Sequence, residues 1–208
     1  MNKNRIKNLL KKRILILDGA TGTELQQRGL PGSVCPEAWC AAHPQALREV
    51  QQAYAAAGAD IIYTCTFGAN RLKLGEYGIT DVRGLNEKMA RLARLAAGPG
   101  VLVAGDIGPT GRFVEPCGDL AFEAAVDVFK EQVAGLLAGG VNLFVIETMM
   151  DIQEARAALL AVKETGDYFT IVTMTYEPGG RTLNGTDPVT ALITLQSLGA
   201  DAVGGNCS

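Results

Sequence analysis

"VNLFVIET", residues 141–148, runs through apolar side chains to Glu147 and Thr148. A run this short and this apolar reads as a strand buried on both faces. A carboxylate at its end must reach an opening or a cation, because an uncompensated charge in an apolar interior costs several kcal/mol. Five further runs share the form: "RILILD" (13–18), "DIIYTCTF" (60–67), "VLVAGDIG" (101–108), "FTIVTMTY" (169–176) and "DAVGGNC" (201–207). Their C-terminal ends carry, in order, Asp18, Thr64 with Thr66, Asp106, Thr175 with Glu177, and Asn206 with Cys207.

Amphipathic patterns fill the gaps between the runs. Leu47, Val50, Tyr54 and Ala57 share one helical face, Leu85, Met89 and Leu92 a second, and Phe122, Val126, Phe129, Val133 and Leu136 a third. "AGADII", "GGVNLF" and "LGADAV" repeat one unit, a helix stopped by glycine and followed by a strand. Asp151 with Glu154 has the spacing of a capping box, and Asp187-Pro188 that of an N-cap followed by proline. With no hairpin signal between strand patterns, the crossovers predict a parallel sheet. A doubly wound sheet gathers its ligand residues where the strand order reverses, whereas a barrel brings all its strand ends to one mouth. Six polar ends favour the barrel. The expected fold is therefore α/β of the (β/α)8 TIM-barrel class, incomplete, with about six βα units over residues 14–208.

Residues 1–13 hold six Lys/Arg and no acid, leaving 13 Lys/Arg against 22 Asp/Glu in the rest of the chain. We read the first 13 residues as a basic helical arm that packs Ile6, Leu9 and Leu10 on the body. An acidic body does not suit nucleic acid, and neither an export signal nor a membrane-length apolar run is present, so a cytoplasmic location is expected. Five cysteines without an export signal argue for reduced thiols. The single histidine, His43, gives no basis for Ser-His or Cys-His nucleophile chemistry.

Several loops have the composition of a polar-ligand site. In "LDGATGTEL" (17–25), Asp18 can hold an ammonium while backbone N–H groups near Gly19 and Gly22 receive a carboxylate; a plain turn with a structural aspartate has the same composition. "TCTFGANR" (64–71) and "DIGPTGR" (106–112) are comparable. Glu147 suits a ligand amine or a buried ion pair with arginine, and Cys207 a metal or a plain packing role.

Taken together and in order, "DGATGTEL", "TCTFGANRLKL", "DIGPTG", "ETMMD", "GTDP" and "GGNCS" resemble the homocysteine S-methyltransferase family, and within it the homocysteine-binding module of cobalamin-dependent methionine synthases. The resemblance runs from about Ile14 to Ser208. It implies an eight-stranded barrel that transfers a methyl group to the homocysteine thiol, from methylcobalamin or an S-methylated donor. By the same resemblance, Asp18 and Glu147 lie at the substrate amino group, Gly19, Ala20 and Thr66 at its carboxylate, and Asn206 beside the metal. Cys207 matches the first of three zinc-ligating cysteines, and cobalamin- and folate-binding modules are the implied partners. The other two ligands form a Cys-Cys pair in the family, and this sequence contains none. The expectation is a fragment with an incomplete zinc site, inactive alone. A non-catalytic binding module or another TIM-barrel enzyme are the alternatives; an aldolase is disfavoured because no strand end supplies a Schiff-base lysine.

Overall fold

The structure, a computed structural model, describes residues 3–208. Met1 and Asn2 of the expected arm lie outside the described residues. Helix α1 (Lys3–Leu10) opens the chain, followed by α2 (Thr21–Gln27), α3 (Pro36–Ala42) and α4 (Pro44–Ala56). Strands and helices then alternate: β1 (Ile61–Tyr63), α5 (Arg71–Gly75), α6 (Val82–Ala97), β2 (Leu102–Ile107), α7 (Phe122–Ala138), β3 (Leu143–Met149), α8 (Ile152–Thr165), β4 (Thr170–Met174), α9 (Pro188–Ser197) and β5 (Ala202–Gly205). All neighbouring strands are parallel, in the order β1-β2-β3-β4-β5. Sequential order without reversal is the winding of a barrel and not of a doubly wound sheet.

The first of the six expected strands forms only in part. Leu17 makes an isolated parallel bridge to Ile61, and the Asp18 N–H donates to the Ile61 carbonyl at 2.9 Å. Ile14 and Ile16 are 85% and 59% exposed, so this run is apolar on two faces but buried on only one. At the other end, β5 pairs with β4 and its Gly204 and Gly205 are exposed. Among the described residues the sheet is therefore open, an incomplete barrel of five strands plus a bridged segment.

Strand alternation sorts the core into two layers. Leu15, Ile61, Leu102, Ala104, Leu143, Val145 and Phe169 cluster on the concave side, with Ile6 of α1 closing one end. Ile62, Val103, Phe144, Ile146 and Val172 face the helices, where Phe129, Val133 and Leu136 of α7 meet Leu159 and Val162 of α8. Helix α1 is held at the N-terminal strand ends by Asp201, whose carboxylate pairs with Lys3 at 3.1 Å and Lys7 at 3.1 Å. Leu10, expected to pack, is exposed instead, because the buried face of this short helix is spent on Ile6 and Leu9.

Two local expectations also change. The helix carrying Leu47, Val50 and Tyr54 ends at Ala56, leaving Ala57 as an exposed C-cap. Asp151 caps α8 through the Gln153 N–H at 2.8 Å, but Glu154 does not complete a capping box. Its carboxylate accepts instead from the Thr110 N–H at 2.7 Å and the Thr110 hydroxyl at 2.5 Å, tying the loop after β2 to α8. The repeated glycine stops are as expected: Gly58, Gly140 and Gly199 have φ of 105°, 86° and 97°, where a side chain would be strained.

Removing Phe129, fully buried between sheet and helices, leaves a cavity in the larger core layer. Phe129→Ala is expected to lower unfolding free energy by about 3–5 kcal/mol, measured as a shift of the urea midpoint at unchanged m-value.

Candidate functional site

The C-terminal strand ends open into a cleft of about 580 Å³. Its wall takes Asp18 to Ala20 from the loop before α2, Thr21 and Gly22 from the start of α2, Glu37 from α3, Tyr63 and Cys65 from β1 and its end, Asp106 from β2, Glu147 and Thr148 from β3, and Cys207 after β5. Four carboxyl side chains line it, and no Lys, Arg or His does. An enclosure of this kind suits a ligand that brings positive charge.

The strands impose the arrangement. Leu102, Ala104 and Asp106 alternate on one face of β2, and Leu143, Val145 and Glu147 on one face of β3, so each apolar stack ends in an acid. Asp18 is fixed by the Tyr63 N–H, which donates to its Oδ2 at 2.9 Å. The following turn is pinned by Tyr54, whose hydroxyl donates to the Ala20 carbonyl at 3.0 Å. A Cβ at Gly19 would come within 2.9 Å of the Tyr54 ring, so a side chain there would push that ring aside. Glu147 Oε2 accepts from Asn206 Nδ2 at 3.0 Å, and Asn206 also accepts from the Thr148 N–H at 3.1 Å. The ends of β3 and β5 are thereby locked together.

Of the residues singled out from sequence, Asp18, Gly19, Ala20, Glu147 and Cys207 line the cleft, and Asn206 reaches it through Glu147. Thr66 lies just behind the wall, with its hydroxyl donated to the Asp106 carbonyl at 2.7 Å. Asp106, Glu37 and Tyr63 complete the site although the sequence did not single them out as ligand residues. The polar end of the β2 run was the available signal for Asp106. Glu37 has no strand periodicity to betray it; its carboxylate accepts from the Gly68 N–H at 2.6 Å and buttresses the loop after β1.

Cys65, Thr148 and Cys207 are the non-glycine residues with positive φ, at 57°, 59° and 54°, among the described residues. All three line the cleft, Thr148 in the last residues of β3 and Cys65 and Cys207 just beyond β1 and β5. Left-handed backbone costs a side-chain-bearing residue about 1–2 kcal/mol, so strain is concentrated where the strands turn out around the cavity.

Burial dominates the electrostatics. It pushes Asp18 up to about 7, against the Tyr63 hydrogen bond and with help from the Glu147 charge. Asp106 is driven well above the ordinary carboxyl range by burial first, then by Glu147, Glu37 and Asp18. Glu147 is also raised by burial, opposed by its bonds to Asp106 and Asn206. Tyr63 is raised by burial and by the same three acids.

Cys207 is exposed in the cleft with the Thr148 hydroxyl 3.9 Å from its sulfur. Cys35 and Cys40 are buried in the packing around α3, and Cys117 is exposed elsewhere. Among the described residues no group of three or more His, Cys, Asp or Glu is placed to hold a metal ion. One thiol does not satisfy the four-coordinate, three-protein-ligand requirement of catalytic zinc, so the residues present do not by themselves fit that ion.

A parallel sheet in sequential strand order, with an acid-lined cleft at its C-terminal ends, is the architecture of the TIM-barrel class, incomplete here. The chain belongs to the homocysteine S-methyltransferase family, whose profile matches residues 15–208. It is 32% identical to methionine synthase of Mycobacterium leprae (strain TN) over 96% of its own length, and to methionine synthase of Mycobacterium tuberculosis (strain ATCC 25618 / H37Rv) at 32% over 97%. In both comparisons it spans 18% of the relative. Among solved structures it is similar to the homocysteine methyltransferase MmuM from Escherichia coli. The metallated form gives a TM-score of 0.84 at 26% identity, covering 97% of this chain and 77% of that one. The oxidized form gives 0.83 at 28%, covering 100% and 77%. No described helix is long and apolar enough to cross a membrane.

Because Asp18 is protonated more readily folded than unfolded, the folded state binds the extra proton between about pH 4 and 7, and stability falls as pH rises through that window. Asp18→Asn, which keeps an acceptor for the Tyr63 N–H, is expected to raise the denaturation midpoint at pH 8. The gain should shrink towards zero by pH 4, as followed by thermal melts across pH.

Proposed function

We propose that this cleft binds homocysteine and presents its thiol for methylation, forming methionine. The observation that carries the proposal is the convergence of Asp18 and Glu147 in a cavity free of basic side chains that also contains the Cys207 thiol. The two carboxylates take the substrate ammonium. The Gly19–Ala20 turn, with Thr66 behind it, takes the substrate carboxylate through backbone N–H groups, and the sulfur then points towards Cys207 and Asn206. In the transfer, a sulfur–carbon bond forms, the thiol loses its proton, and the bond between donor and methyl breaks with its electron pair left on the donor. Methylcobalamin or an S-methylated compound is the donor class, and cobalamin- and folate-binding modules are the partners, in line with the methionine synthase relatives.

Cys207 contributes one thiolate to a zinc site in this proposal, and its companion ligands must come from polypeptide other than the described residues. These 208 residues are accordingly expected to bind substrate without turning it over, in the cytoplasm. Residues 14–208 act as the homocysteine-binding unit, and the basic arm closes its base.

Calorimetric titration with L-homocysteine tests the amine assignment. Glu147→Gln should weaken binding by about 2 kcal/mol or more, roughly 30-fold, while the fold measured by circular dichroism is unchanged. Equal affinities for wild type and variant would remove the assignment. Binding that is indifferent to both the amine and added zinc would favour a non-catalytic module.

A further inference from the structure

Asp106 and Glu37 are the acids in the cleft that the amine proposal does not use, and Glu37 is already engaged by the Gly68 N–H. Asp106 is 4% exposed, sits above Leu102 and Ala104 on the concave face of β2, and lines the cavity. Its Oδ1 is buried with no hydrogen-bond partner. In the β2–β3 register Asp106 stands opposite Val145, so Glu147, two residues further on the same face, is its neighbour across the strands, and both carboxyl groups line the cleft and interact with each other. Two carboxyl groups in that relation bond to each other only when a proton lies between them, and no lining cation is available to replace it.

The groups around the pair agree on where the proton sits. Asp18, Glu37 and Glu147 face Asp106 as negative charges, Tyr63 faces it as a neutral phenol, and Cys65 lies on the same wall. Glu147 has a second neutral donor, Asn206 Nδ2, on its Oε2. Asp106 has no such donor on its free oxygen and is the more deeply buried of the two. Charge is therefore best left on Glu147 and the proton on Asp106.

We propose that Asp106 is a positioning residue, a neutral carboxylic acid whose O–H donates to Glu147 and, with Asn206 on the other side, holds that carboxylate ionised and aimed at the substrate ammonium. This rests on the homocysteine proposal for the role of Glu147. It also sets the charge of the cavity: with Asp106 neutral, the cleft that receives the ammonium carries one negative charge fewer. An amide in place of Asp106 reproduces the donor and the absence of charge, whereas a methyl group reproduces neither shape nor donor.

The test combines infrared spectroscopy with calorimetry on the full chain, using L-methionine as a thiol-free probe and D106N, D106A and E147Q variants. At pH 7, wild-type protein should show a protonated-carboxyl C=O band that is missing from D106N. D106N should bind L-methionine within about threefold of wild type, while D106A, which leaves Glu147 without its partner, should bind about tenfold or more weakly. A D106N loss as large as that of E147Q would mean that Asp106 is an ionised contact of the amine, and would overturn the proposal. So would a wild-type spectrum lacking the band that D106N removes. If wild type binds neither L-methionine nor L-homocysteine, the homocysteine proposal fails and the positioning role falls with it, whereas the band alone still decides whether Asp106 is protonated.

Discussion

The constraint that organises this molecule is the cost of a carboxylate at the end of an apolar strand. Asp106 and Glu147 each crown a stack of side chains that is otherwise hydrophobic. The same stacks supply the burial that holds the sheet together. The chain meets the cost with an Asn206 clamp and an open cavity, and leaves part of it as raised carboxyl pKa values that a cationic ligand can relieve.

Much of the scaffold exists to keep those acids in register. Asn206 links the ends of β3 and β5, Tyr63 N–H holds Asp18, and Thr66 is bonded to the Asp106 carbonyl. Gln132 of α7 reaches through the helix layer to donate to the Thr66 carbonyl at 2.8 Å, so even the outer helices bear on the cleft wall. Backbone strain at Cys65, Thr148 and Cys207 falls in the same ring, as expected where a site is built against local preference.

The fold was legible because periodicity and punctuation agree along the chain. Continuous apolar runs gave the buried strands, and the glycine stops at 58, 140 and 199 fell where their positive φ is needed. The bridged segment around Leu17 was less legible, since an apolar run does not say whether a neighbour covers both faces. Glu154 failed as a capping box because Thr110, distant in sequence, offered it stronger partners. In the site, strand-end acids were visible by position, whereas Glu37 depends on where α3 packs and Tyr63 on strand register.

The central claim is that the cleft recognises its ligand through an ammonium group. The most direct measurement compares the affinity of L-homocysteine with that of its des-amino analogue, 4-mercaptobutyrate, for the same protein at pH 7. Loss of the amine should weaken binding by about 30-fold or more, because two half-buried carboxylates lose their counter-charge. Equal binding of the two thiols would contradict the account.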